Sequence, residues 1–188
     1  NEMFTGLGAM RAGMEWAGFR AEMVGASEDD EGKRAHLEAT GRYPKVERDA
    51  TSREAVEGPP CQVLTCTDAC VQYMPRNAQA TEAGRMAAEV IRGRACEYLE
   101  RQVRAGTPPV MVVFENSADV VRRFPRSMAS FRRLLQGFES TYEWRASILC
   151  PTKVSAFPVR RERLYVVGRA WVAMTLPSTT RAGPNSLL

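Results

Sequence analysis

Short apolar runs alternate with longer segments whose apolar residues recur at helical spacing. That alternation predicts an α/β domain in which crossover helices join strands of one sheet. Met3–Gly6 reads as the end of a first strand, and Met10–Ala17 as a helix with Met10, Met14 and Ala17 on one side. Glu22–Ala26 reads as a second strand ending at Ser27-Glu28-Asp29, and Asp30–Thr40 as a polar helix stopped by Gly41. Val46–Asp49 is a short third strand, and Gln62–Thr67 a buried one followed by a loop over 68–79. Thr81–Arg104 forms a long amphipathic helix with Met86, Val90, Tyr98 and Val103 among its apolar positions. Gly106 closes it, and Pro108-Pro109 forbid its continuation. Val110–Phe114 is the most apolar strand. Ser127–Gln136 is a helix with Met128, Phe131, Leu134 and Leu135 on one side, and Glu143–Leu149 and Leu164–Val167 are the last strands.

A chain of 188 residues that is 44% hydrophobic and 26% charged has the size and composition of a single soluble globular domain. The expected division is a core over 1–174 and an irregular tail over 175–188, which is rich in Pro, Ser, Thr and Gly. The first residue, an Asn, already lies in a strand-like segment, so residues upstream of it are expected. Five cysteines without a CxxC pair, and one histidine, do not make a structural zinc site, so no metal is expected. Unpaired thiols point to an intracellular, reducing compartment, the nucleus or nucleoid if the partner is DNA. The net charge is +4, and only Lys33, Lys45 and Lys153 are lysines, so arginine dominates the basic side. Arginine's planar fork suits phosphate, but a GC-rich genome produces the same bias.

Candidate chemistry sits at the predicted strand ends. Phe4-Thr5-Gly6-Leu7-Gly8 falls where the first strand turns into a helix, and glycines there let backbone approach a ligand closely. Glu28 ends the second strand, where a carboxylate suits the two hydroxyls of a ribose, and Asp49 ends the third, where one can accept from an adenine amino group. Glu115-Asn116-Ser117 closes the most apolar strand, and Val159-Arg160-Arg161-Glu162-Arg163 precedes the last.

In that order and at those intervals these segments resemble the cytosine-C5 methyltransferases, over roughly residues 3–171. The opening from Phe4 to Phe19, the Glu-Asn strand end and the segment from Ala156 to Gly168 carry the likeness. The resemblance implies a Rossmann-like methyltransferase fold, a mixed, mostly parallel sheet flanked by helices. It also implies S-adenosyl-L-methionine as cofactor, held at Phe4, Gly6, Gly8, Glu28 and Asp49. Glu115 would serve cytosine N3, and Arg161 and Arg163 would orient the base. DNA is the implied partner, with RNA as the alternative because family members acting on transfer RNA share the motifs.

The nucleophile has two candidates. Gly58-Pro59-Pro60-Cys61-Gln62 matches the family's Pro-Cys-Gln loop letter for letter, but Thr51–Glu57 before it is polar rather than a buried strand. Cys70 directly follows the buried strand Gln62–Thr67, and its interval from Asp49 suits the family better, so Cys70 is the preferred nucleophile. Arg76 and Asn77 then fall on the loop that would close over a flipped base. The pattern departs from the family at Ala69, Val71, Ser117 and Val159, none of which carries a reacting atom. Only Trp171–Leu188 follows the last strand, leaving no evident target-recognition region, which is expected in trans or elsewhere in a longer protein. The implied function is a DNA (cytosine-5-)-methyltransferase core; the alternative is a catalytically degenerate subunit kept for binding or assembly.

Overall fold

The computed structural model describes residues 9–67, 73, 81–150, 152 and 161–171, together with the backbone of 2 and 3; of residue 9, too, only the backbone is described. Seven strands, β1 (Glu2–Met3), β2 (Ala26–Ser27), β3 (Val46–Glu47), β4 (Val63–Thr67), β5 (Met111–Ser117), β6 (Tyr142–Leu149) and β7 (Arg163–Ala170), form one sheet in the order β3-β2-β1-β4-β5-β7-β6. The strands from β3 to β5 are parallel, and β7 inserts antiparallel between β5 and β6. This is the mixed, mostly parallel sheet expected from the sequence. The strand order reverses between β1 and β4, and in open α/β sheets ligands bind outside the strand carboxyl ends at such a reversal.

Among the described residues six helices, α1 (Ala9–Trp16), α2 (Glu31–Ala39), α3 (Arg53–Val56), α4 (Glu82–Arg104), α5 (Asp119–Arg123) and α6 (Pro125–Gln136), occupy the connections. Their starts are written in the sequence. Asp30, Ser52 and Thr81 each accept a hydrogen bond from a backbone N–H of the first turn, and Pro125 opens α6. Gly106, at φ +73°, takes the left-handed conformation that ends α4.

The main core lies on one face of the sheet. Leu64, Cys66, Val112, Phe114, Leu164 and Val166 meet α4 and α6 there, and Phe114 packs edge-on against Phe131 with ring centroids 4.9 Å apart. A smaller cluster of Ala26, Leu37, Tyr43 and Val46 seats α2 against β2 and β3.

Tyr98 and Val103 of the long helix face the core as expected, but in its first half the inward stripe is not the one Met86 and Val90 suggest. Met86 is 61% exposed and Val90 51% exposed, whereas Ala88, Arg92, Ala95 and Leu99 point inward at helical spacing. Small inward residues let α4 lie close to the sheet. Leu134 of α6 is likewise exposed, and Ala17 lies beyond the end of α1. α3 and α5 stand where the apolar pattern predicts no helix, because four- and five-residue helices are too short to show a period.

On β7, Gly168 lies beneath the ring of Trp144, where an added Cβ would come 2.4 Å from a ring carbon. Trp144 also packs against Tyr142 and Phe114, so the ring cannot move without disturbing them. Gly168→Ala is therefore expected to lower stability by about 1–3 kcal/mol, the usual cost of overpacking. Chemical denaturation checks it, and an unchanged midpoint would show that the ring has room. No helix is long and apolar enough to cross a membrane among the described residues.

Candidate active site

The parallel ladder puts the ends of the strands at one level. Met3 pairs with Ser27 and with Cys66, Ser27 with Glu47, and Thr67 with Glu115. Glu28 extends the ladder by one bond, its N–H donating to the Glu47 carbonyl at 2.9 Å. Glu28, Asp49 and Glu115 therefore stand along one edge of the sheet, at the carboxyl ends of β2, β3 and β5.

Glu115 and Arg163 meet because β7 runs back beside β5. The register places Tyr165 opposite Glu115 and Arg163 opposite Ser117. Arg163 Nε lies 2.8 Å from Glu115 Oε1, and the two side chains are only 10% and 13% exposed. Arg163 also donates through Nη1 to the Glu162 carbonyl at 3.1 Å, while its buried Nη2 has no hydrogen-bond partner among the described residues. A buried guanidinium donor without an acceptor is costly in a finished site and is suited to receiving one from a ligand.

Burial raises the Glu115 pKa above the ordinary carboxylate value, outweighing the opposing pull of the Arg163 and Arg161 guanidiniums. Arg161 is exposed and acts on Glu115 through its charge alone. Tyr165 is half-buried, and its phenol is raised by burial first and by the Glu115 charge second. A carboxyl that holds its proton to higher pH, fixed by a guanidinium, can donate a hydrogen bond or a proton to a ring nitrogen.

The neighbouring backbone is tied down. Asn116 Oδ1 accepts from Ser117 N at 2.6 Å, and Ser117 Oγ shares a hydrogen bond with Asp119 at 3.1 Å. Arg122, near the end of α5, reaches Glu162 at 2.5 Å, clasping that helix to the residue that leads into β7.

Of the predicted cofactor residues, Glu28 is 3% exposed, with its carboxylate 3.1 Å from Asp30 N and 3.7 Å from Lys33 Nζ. Asp49 is exposed, and one oxygen accepts from both the N–H and the hydroxyl of Thr51 at 2.7 Å. Phe4, Gly6, Gly8 and Cys70, with Arg76, Asn77 and the 175–188 tail, lie outside the described residues.

Cys61 is at the other end of the molecule. It precedes Thr67 by six residues, about 20 Å of extended chain at about 3.3 Å per residue, and Thr67 is level with Glu115. Its sulfur accepts from Tyr98 Oη at 3.3 Å, and Tyr98 also donates to the Pro59 carbonyl at 2.5 Å. The cleft beside it, about 620 Å³, is lined by Met14, Val63, Thr107 and Val110 and opens at the entry ends of the strands, away from Glu115.

One buried residue behind the site was not foreseen. Arg92 of α4, 4% exposed, donates to Tyr73 Oη at 2.5 Å and Ser127 Oγ at 3.0 Å and stacks over Phe131. It lines a small cavity together with Glu115 and Asn116. The available signal was an arginine in register with Ala88, Ala95 and Leu99.

No protein-family model and no curated protein sequence matches the chain significantly. Solved structures do. The Dnmt2 methyltransferase of S. pombe superposes with a TM-score of 0.63 at 19% identity, covering 90% of this chain and 48% of that one. A protein assigned as a DNA modification methyltransferase from an E. coli prophage gives 0.66 at 14% identity, with coverages of 92% and 47%. A Spodoptera frugiperda DNMT2 mutant gives 0.59 at 16% identity, with coverages of 97% and 52%. The chain thus spans about half the length of these structures. At such identities the likeness speaks to architecture: this chain has the fold of the methyltransferases it superposes on.

Proposed function

We propose that the chain is the core of a cytosine-C5 methyltransferase, with DNA as its substrate. The observation that carries this reading is the Glu115–Arg163 pair at the carboxyl edge of the sheet, level with Thr67. Cytosine C5 is a poor nucleophile, and a thiolate adding to C6 shifts electron density to N3 and C5. Glu115, with its raised pKa and its guanidinium partner, is suited to protonate N3 at that moment. Arg163 Nη2 and Arg161 supply donors for the base. Cys70, three residues beyond Thr67, is the proposed source of the thiolate.

The donor set fits S-adenosylmethionine. Carboxylates at the ends of β2 and β3 suit the ribose hydroxyls and the adenine amino group, so Glu28 and Asp49 would hold the nucleoside, with the turn at Phe4, Gly6 and Gly8 beside it. When bound, the cofactor supplies the methyl group. The recognition of target sequence we assign to polypeptide beyond these 188 residues, in cis or in a partner.

Two measurements test this function. Calorimetry should show binding of S-adenosylmethionine, and its absence even with an added partner would sink the reading. An oligonucleotide carrying 5-fluorocytosine should form a covalent adduct that Cys70→Ser abolishes and Cys61→Ser keeps. The reverse pattern would move the nucleophile to the opposite end of the sheet and refute the arrangement argued above.

A further inference from the structure

Between Val120 and Phe138 the chain carries five arginines, Arg122, Arg123, Arg126, Arg132 and Arg133, and no acidic residue. All five are exposed. On other helices most exposed arginines have a glutamate within the same helix: Arg85 with Glu82, Arg94 with Glu97 and Arg104 with Glu100 on α4, and Arg53 with Glu57 on α3, while Arg101 and Arg34 bond backbone carbonyls. On α5 and α6 only Arg122 has a carboxylate partner among the described residues, and that partner is Glu162, between Arg161 and Arg163. Beyond Asp119 at the head of α5, the helix pair therefore carries basic charge alone, and four of its five arginines have no carboxylate partner among the described residues.

Position makes this charge informative. α5 starts directly after β5, and Arg122 clasps the start of β7, so this end of the helix pair borders the Glu115–Arg163 site. α6 buries Ser127, Met128, Phe131 and Leu135 and turns the opposite side outward. Arg126 and Arg133, seven residues apart, share that outer side with Ala129 between them. At about 1.5 Å rise per residue they lie roughly 10 Å apart along the axis, with no long side chain from Ala129 to hold a ligand away.

We infer that the outer face of α5 and α6 is a phosphate track that holds a nucleic-acid backbone as it leads to the Glu115–Arg163 site. This rests on the reading of the chain as a nucleic-acid methyltransferase core and names the surface by which that core grips its substrate. Unpaired guanidiniums recognise phosphodiesters without reading bases, releasing condensed counterions as they do so. The occupant is thus a polyanionic strand, and sequence is read elsewhere.

The test is fluorescence anisotropy of the chain, with its completing polypeptide if one is required, on labelled duplex DNA and duplex RNA of one sequence over a range of salt. Arg126→Ser with Arg133→Ser should lower the slope of log K against log salt by about 2 and weaken binding roughly 10- to 30-fold near physiological salt. Arg126→Lys with Arg133→Lys should restore most of both, and Arg94→Ser, at a neutralised position, should change neither. Loss on DNA, on RNA or on both supports the track and identifies the strand. An unchanged slope, or no nucleic-acid binding by the parent, would overturn it. Failure here is separable from failure of the catalytic reading. A track that stands while Glu115→Gln leaves methyl transfer intact refutes the chemistry alone, and the converse refutes the track alone.

Discussion

Glu115→Gln is expected to cut methyl transfer to cytosine by about 10²- to 10⁴-fold, the range general acid–base groups contribute. The amide keeps the size and planarity of the carboxyl but has no proton to give N3 as charge develops on the ring. The raised pKa adds a second expectation. The protonated form persists above the ordinary carboxylate range, so turnover in the parent should fall as pH rises through that raised value. The variant should lack this limb. Binding of S-adenosylmethionine should survive, because Glu28 and Asp49 stand on the far strands. Transfer of a labelled methyl group to a cytosine oligonucleotide, with and without the substitution, reads both effects. A variant within tenfold of the parent would remove Glu115 from the reaction.

Arg163→Met should destabilise the fold by about 3–5 kcal/mol at neutral or higher pH, since it strands a buried carboxylate without its partner. The loss should depend on pH. Without Arg163, burial acts on Glu115 with less opposition, so its folded pKa rises further above the ordinary carboxylate value. An acid whose folded pKa exceeds its unfolded one binds more protons when folded. Stability is then greatest below the unfolded pKa and is lost as pH rises toward the folded one. The gap between variant and parent should accordingly shrink near pH 4.5 and widen above it. Denaturation midpoints across that range give the answer. A gap independent of pH would mean that Arg163 contributes packing rather than charge.

The sequence was most legible where one physical rule governed a segment. Leu64–Cys66 and Val112–Phe114 are buried in consecutive positions, and Met111–Phe114 shows as a continuous apolar run. Thr81, Asp30 and Gly106 mark helix ends through capping chemistry that local sequence carries. Where two rules competed, the pattern misled. Met86 and Val90 are large apolar residues of the first half of α4, yet they stay exposed, and the sheet takes Ala88 and Ile91 instead, Ala88 permitting close approach. The second strand begins later than Glu22 because residues 21–25 precede the ladder, which forms at Ala26 and Ser27. Of the site, Glu115 and Arg163 were named separately from motif likeness; that they pair with each other comes from the β5–β7 register. The Tyr165 wall and the buried Arg92 needed register and helix phase, which only the assembled sheet supplies.

The insertion of β7 between β5 and β6 has a consequence for synthesis. Until Arg163–Ala170 leaves the ribosome, β5 has an open edge and β6 has no neighbour at all. The nascent chain must carry an apolar strand with unsatisfied backbone across the synthesis of some 45 residues, a template for misassembly. Closure of the sheet and completion of the Glu115–Arg163 pair are then one event. A polypeptide interrupted before Arg163 would lack the site and the last covered edge together, and should be recovered aggregated rather than inactive and soluble.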